Sequence, residues 1–146
     1  MKPRLCLRAA SICIGLFACG HTFGHVMLTY GSPEERAISA AKKTFQFEWM
    51  GSDRSVWDFY VGMSLILILT LFFLAVLAWI LGNLSATSLQ QARPLVWLLA
   101  VMGCLLSIVC WLKFFFVASL LSTLTAILLV ISVVGLFRSR SLTQKA

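Results

Sequence analysis

Residues 57–81 constrain the fold more than any other stretch of the chain. They run for 25 residues, and no charge follows Asp58 within them. A helix of that length, at about 1.5 Å per residue, covers more than the roughly 30 Å of a bilayer's hydrocarbon layer. A helix that is apolar on every side has no face to offer water. Residues 9–28, 94–112 and 117–137 read the same way. Of the 146 residues 60% are hydrophobic and only 12% charged, with a mean hydropathy of +0.95. Soluble domains carry about 25% charged residues, so lipid is the solvent for most of this chain. The expected fold is all-α: a transmembrane four-helix bundle in which residues 1–146 form one integral membrane domain.

Local signals set the boundaries. Ser55-Val56-Trp57-Asp58 is a capping box that opens the second span. Gly82-Asn83-Leu84-Ser85 is expected to end it with a C-terminal glycine. A polar linker through Gln90, Gln91 and Arg93 follows, and Pro94 suits a first helical position. One helix across the third and fourth spans would overshoot a bilayer about twofold. A hairpin is therefore expected near Lys113, although neither Gly nor Pro marks the corner. In the first span, Leu16-Phe17-Ala18-Cys19 resembles a lipoprotein cleavage box. The apolar pattern continues through Phe23, Val26 and Met27, however, so a retained span is expected. Small residues at Ser11, Gly15 and Cys19, and at Gly20 and Gly24, suggest a helix-packing face there. Ser119, Ser122, Thr125, Ala126 and Ser132 suggest another in the fourth span. The tail beyond Arg138 is expected to fray.

The first loop holds the main polar segment. Ser32-Pro33-Glu34-Glu35 is a strong helix start, with Ser32 as cap and Glu35 closing the box. Ile38, Ala41 and Phe45 then share a face, with Lys42, Lys43 and Gln46 on the others. The pattern predicts a short amphipathic helix lying at the membrane surface or packed on the top of the bundle.

The net charge of +7 does not signal nucleic-acid binding, because its placement follows the spans. Lys2, Arg4 and Arg8 flank the first span, Arg138, Arg140 and Lys145 follow the last, and Arg93 lies in the second linker. Nucleic acid is therefore not an expected partner. Basic residues at span ends set orientation and favour both termini on the cytoplasmic side of a multi-pass plasma-membrane protein. Cys6, Cys13, Cys19, Cys104 and Cys110 form no C-x-x-C pair and read as packing residues.

Folding the chain through four spans draws polar groups toward one end. His21 and His25 lie late in the first span, and Arg54, Trp57, Asp58 and Tyr60 lie at the start of the second, with Lys113 at the end of the third. Ionisable groups at membrane depth are costly and are candidate site residues for that reason. His21 and His25 are four apart, hence on one helical face. With Asp58 they have the makings of a two-histidine, one-carboxylate metal set, a proton relay, or a polar mouth for a lipid or quinone head group. Each residue also has a structural reading. Asp58 caps its helix and pairs with Arg54; His21 bonds a neighbouring helix; His25 reaches the interface; Trp57 and Tyr60 belong to the aromatic belt; Lys113 snorkels. A contact between His21 and Asp58 is expected. Haem ligation by both histidines is disfavoured, because one helix face cannot supply both axial positions. There is no nucleophile with a base beside it, no phosphate-cradling glycine loop and no Cys/His cluster of zinc spacing.

Gly20-His21-Thr22, then Met50-Gly51, then Arg54-Ser55-x-Trp57-Asp58-Phe59-Tyr60-x-Gly62 resemble a family of small four-span bacterial membrane proteins of unknown function. Val56 departs from that pattern, which has an aromatic residue there. The resemblance implies the four-span topology, a bacterial inner membrane and a shared role for His21 and Asp58; it implies no activity. The expected function is binding of a lipid-like ligand or a membrane partner at the outer polar mouth. Membrane lipids, a second copy or another membrane protein are the expected partners, and no cofactor is expected. The alternative is an intramembrane enzyme or redox or metal module using His21, His25 and Asp58. A transporter is disfavoured for want of an internal repeat or a broken helix in mid-span.

Overall fold

The computed structural model describes residues 3–27 and 31–143, apart from the side chains of Trp49 and of residues 139–143. Its elements in order are α1 (Pro3–Met27), α2 (Pro33–Thr44), β1 (Gln46–Trp49), β2 (Ser52–Ser55), α3 (Val56–Asn83), α4 (Ala86–Gln91), α5 (Arg93–Lys113) and α6 (Phe116–Thr143). The fold is all-α with one small hairpin, and α1, α3, α5 and α6 are long and apolar enough to cross a membrane. The corner near Lys113 is present. Phe114 turns it at φ −118° and ψ 174°, an extended backbone open to any residue, so neither Gly nor Pro is needed.

Three local expectations are corrected. Gly82 does not end its helix in a left-handed cap: α3 runs through it to Asn83, and Gly51 is the only positive-φ glycine among the described residues. The polar linker is helical, because the Ser85 hydroxyl accepts from the Ser88 N–H and caps α4. The helix does not stop at Arg138; α6 continues to Thr143, while residues 144–146, with Lys145, lie outside the described residues, as do Lys2 and residues 28–30.

The chain forms two compact units. The first comprises residues 1–17 and 71–146, and the second residues 18–70. The first unit packs segments of all four long helices through buried residues three and four apart. These are Leu7, Ala10, Ile14 and Phe17 on α1; Leu71, Ala75 and Ala78 on α3; Val96, Leu99 and Gly103 on α5; and Ser122, Ala126, Leu129 and Val133 on α6. Such 3–4 spacing gives the narrow seam of near-parallel or antiparallel helix packing. The unit is inverted relative to a soluble domain: Ser107, Ser119, Ser122, Thr125 and Ser132 are buried, whereas Phe73, Leu112 and Phe115 point outward. Apolar surroundings remove the penalty for that outward face, and small hydroxyl residues let backbones approach.

Interhelical hydrogen bonds complete the packing. The Ser11 hydroxyl donates to the Ala75 carbonyl at 2.7 Å, joining α1 to α3. Arg8 donates Nε to the Gly82 carbonyl and Nη2 to Asn83 Oδ1, at 3.2 and 2.7 Å. The Ser132 hydroxyl lies between two acceptors, the Leu128 carbonyl of its own helix at 2.9 Å and the Pro3 carbonyl of α1 at 3.2 Å, so its one proton is shared between α6 and α1. Thr123 Oγ1 lies 2.9 Å from Ser107 Oγ and accepts from Trp111 Nε1 at 2.9 Å, which clasps α5 to α6. The hydroxyl face expected in the fourth span is thus buried, but that expected in the first is used only at Ser11. Among the described residues no atom lies within 4 Å of where a Cβ on Gly15, Gly20 or Gly24 would sit, and Cys19 is exposed.

Candidate functional site

All six candidate residues, His21, His25, Arg54, Trp57, Asp58 and Tyr60, fall in the second unit, and Lys113 falls in the first. The second unit is built on α2 and the hairpin. α2 starts as expected: the Ser32 N–H donates to Glu35 Oε2 at 2.7 Å, and Glu35 N–H donates to Ser32 Oγ at 3.3 Å. None of its residues is buried, and Ile38, Ala41 and Phe45 face outward, as a helix lying at a lipid surface requires.

A two-stranded hairpin then returns the chain. Gln46, Phe47, Glu48 and Trp49 pair antiparallel with Ser55, Arg54, Asp53 and Ser52. Met50 and Gly51 form the loop, with φ of 51° and 77°. Two positive φ values in a two-residue loop match the right-handed strand twist, as in a type I′ turn. The Val56 N–H donates to the Phe45 carbonyl at 3.1 Å, so the last residue before the hairpin is tied to the first one after it. That closure brings the C-terminal turn of α2 against the first turn of α3.

The result is a lysine–aromatic platform. Trp57 and Tyr60, three apart on α3, stack with centroids 6.0 Å apart and planes 29° apart. Lys42 Nζ lies 4.8 Å from the Tyr60 ring centroid, and Lys43 Nζ lies 4.9 Å from that of Trp57. Each ammonium is held from one side by the negative face of a ring. Neither lysine was among the candidates read from the sequence. Their signal was present, as two adjacent cations in the last turn of an amphipathic helix, but it reads equally as a solvated face.

Asp58 is the reciprocal partner of the Ser55 cap. Its Oδ2 accepts from the Ser55 N–H at 2.9 Å and from the Ser55 hydroxyl at 2.7 Å, and the Asp58 N–H donates back to Ser55 Oγ at 3.1 Å. Arg54 makes no direct bond to Asp58, although its charge acts on that carboxylate from a distance; its Nη1 donates to the Asp53 carbonyl at 3.3 Å, and its strand position faces Phe47. Nor does His21 meet Asp58. His21 Nε2 lies 3.1 Å from Oγ of buried Ser64, with the donor set by the imidazole tautomer. Ser64 is six residues beyond Asp58, about 9 Å along the helix and on another face, so a histidine that meets Ser64 has turned away from Asp58. His25 Nδ1 is buried and has no hydrogen-bond partner among the described residues. Among the described residues, no three His, Cys, Asp or Glu side chains lie close enough to share a metal ion, so His21, His25 and Asp58 do not form the two-histidine, one-carboxylate set.

The unit therefore offers two fixed cations beside stacked aromatic rings, and a separate His21–Ser64 pair with an unmet imidazole nitrogen one turn along the same helix. Such a set presents N–H donors beside aromatic faces, chemistry suited to an anion or a polar head group. No protein-family model, no curated protein and no solved structure matches this chain.

Proposed function

We propose that this is a multi-pass protein of a bacterial inner membrane, with both termini cytoplasmic, whose second unit binds a lipid-like ligand by its polar head. The observation that carries this reading is the pair of ammonium groups, Lys42 and Lys43, over Tyr60 and Trp57. A ring engages one side of an ammonium and leaves N–H donors for an acceptor on the other. Tryptophan and tyrosine at the start of a span sit at head-group level, where phosphate and carbonyl acceptors are concentrated. The resemblance to small four-span bacterial proteins supports the same location. A second copy or another membrane protein bringing an anionic group to the platform is the corresponding partner reading. No observation favours the metal or redox alternative, since Asp58 is committed to Ser55 and His21 to Ser64.

Native mass spectrometry of the full chain released from its own membrane into mild detergent tests the proposal. The expected result is a retained lipid-sized adduct that falls by roughly tenfold in the Lys42→Gln/Lys43→Gln double variant, as for loss of charge-assisted contacts. A chain that retains no such adduct, or one whose adducts are all unchanged in the double variant, overturns it.

A further inference from the structure

The acidic residues are confined to one part of the chain. Glu34, Glu35, Glu48, Asp53 and Asp58 all fall within residues 34–58, so the first unit contains no carboxylate side chain. It nevertheless carries eight of the twelve basic residues: Lys2, Arg4, Arg8, Arg93, Lys113, Arg138, Arg140 and Lys145. Arginine cannot shed its charge. Arg8 satisfies its guanidinium on the Gly82 carbonyl and on Asn83, and Arg93 lies over the Phe137 ring at 4.8 Å. Among the described residues Arg4 makes no comparable bond.

Arg4 instead lines a cavity of about 430 Å³ within the first unit. The first turn of α1, the short helix α4 and Leu136 of α6 line it, and it is open to the surface beside exposed Arg4, Ala86 and Thr87. Thr87 and Gln90 contribute polar groups, and Pro3, Leu89 and Leu136 form apolar walls. Gln90 Nε2 donates to the Leu136 carbonyl at 2.8 Å, which holds α4 on α6 and keeps the cavity's shape. Thr87 Oγ1 lies 3.0 Å from Ser85 Oγ, and either oxygen can donate; the Thr87 proton faces the cavity only where Ser85 is the donor.

We propose that this cavity holds the phosphodiester head of an anionic phospholipid. The planar guanidinium fork of Arg4 matches two phosphate oxygens, and a negative lipid supplies the counter-charge that the unit's own sequence lacks. The apolar walls favour a head group with its glycerol and acyl portion over a free ion. The cavity lies at the ends of spanning helices, the depth at which basic pockets meet lipid head groups. This site is separate from the lysine–aromatic platform and uses none of its residues.

The test uses the purified full chain in mild detergent, titrated with phosphatidylglycerol, phosphatidylcholine or inorganic phosphate and read by native mass spectrometry and thermal midpoint. Phosphatidylglycerol is expected to bind and to raise the midpoint more than phosphatidylcholine does, and inorganic phosphate is expected not to displace it. Arg4→Gln removes the charge and the guanidinium fork and leaves a shorter neutral amide. It should weaken phosphatidylglycerol binding by roughly tenfold. Ala86→Phe, which fills the cavity from α4, should do the same while helical content is unchanged, and Lys42→Gln/Lys43→Gln should leave this adduct in place. Equal binding of the two lipids overturns the proposal, as does an adduct unchanged in both Arg4→Gln and Ala86→Phe. Displacement by inorganic phosphate makes the site one for free anions and also overturns it. An adduct lost only in the lysine double variant belongs to the second unit and leaves this cavity without a ligand.

Discussion

Met50 is held at φ 51° with its side chain 92% exposed, in a position where hairpins ordinarily carry Asn or Gly. The left-handed region costs a residue with a Cβ about 1–2 kcal/mol. Met50→Asn should therefore stabilise the hairpin by about 1 kcal/mol, and Met50→Gly by less, because glycine also loosens the unfolded chain. Amide exchange across β1 and β2 should slow in Met50→Asn; unchanged or faster exchange would show that no strain resides there. His21 gives a second prediction. Its partner is Ser64, so His21→Ala and Ser64→Ala should be non-additive in detergent thermal stability, with a coupling of about 1 kcal/mol. His21→Ala and Asp58→Asn share no partner and should add. Additive effects in the first cycle and coupling in the second would restore the contact between His21 and Asp58 that the sequence suggests. The Ser55–Asp58 cap is legible because its spacing is local to one turn. The partner of His21 is not, because it depends on how α1 is rotated against α3, and both Ser64 and Asp58 are polar groups near the start of that helix.

Among the elements, glycine separates packing from mere presence in a helix. A Cβ on Gly82 would sit 3.2 Å from the Arg4 carbonyl and 2.9 Å from Arg8 Cγ, so α1 must move to admit it. Gly82→Ala should therefore destabilise the first unit by about 1–3 kcal/mol, as overpacking does. Gly15 faces open space in α1, and Gly15→Ala should be neutral or stabilising by up to about 1 kcal/mol from helix propensity alone. Thermal midpoints of the two variants in one detergent decide this; equal shifts would mean that Gly82 is not a packing position. The four long helices are legible because length and apolarity suffice to find them. Which small residues meet a neighbour is not, since a recurrence of Gly, Ser and Cys marks several faces of α1 and only Ser11 is used. The hairpin leaves a faint trace, alternation through Gln46-Phe47-Glu48-Trp49 and then a glycine. Met50 obscures it, being an uncommon residue at the first loop position. α4 is hidden in the same way, as six residues whose only strong signal is the Ser85 cap.

For the whole molecule, the decisive quantity is where charge lies along the chain. The first unit carries eight basic and no acidic residues, and the second four basic and five acidic, for +8 and −1, which sum to the net charge of +7. Orientation depends on Lys and Arg beside the spans, with acidic residues contributing little. In the proposed topology, crossing by all four candidate spans puts both ends of the chain and the α3–α5 connection on one side, with Lys2, Arg4, Arg8, Arg93, Arg138, Arg140 and Lys145, and Arg36, Lys42, Lys43, Arg54 and Lys113 on the other. Seven against five favours cytoplasmic termini by a narrow margin, so the orientation should be sensitive to few changes. A reporter fused after Ala146 should give an inside signal, and one inserted within residues 40–44 an outside signal. Arg138→Gln/Arg140→Gln reduces the count to five against five, and the same two fusions should then each report a mixture. An outside signal from the unmodified C-terminal fusion reverses the orientation, and matching signals from both fusions remove the even number of crossings. A double variant that stays fully oriented would show that something other than terminal charge, such as the length and apolarity of α3, sets the topology.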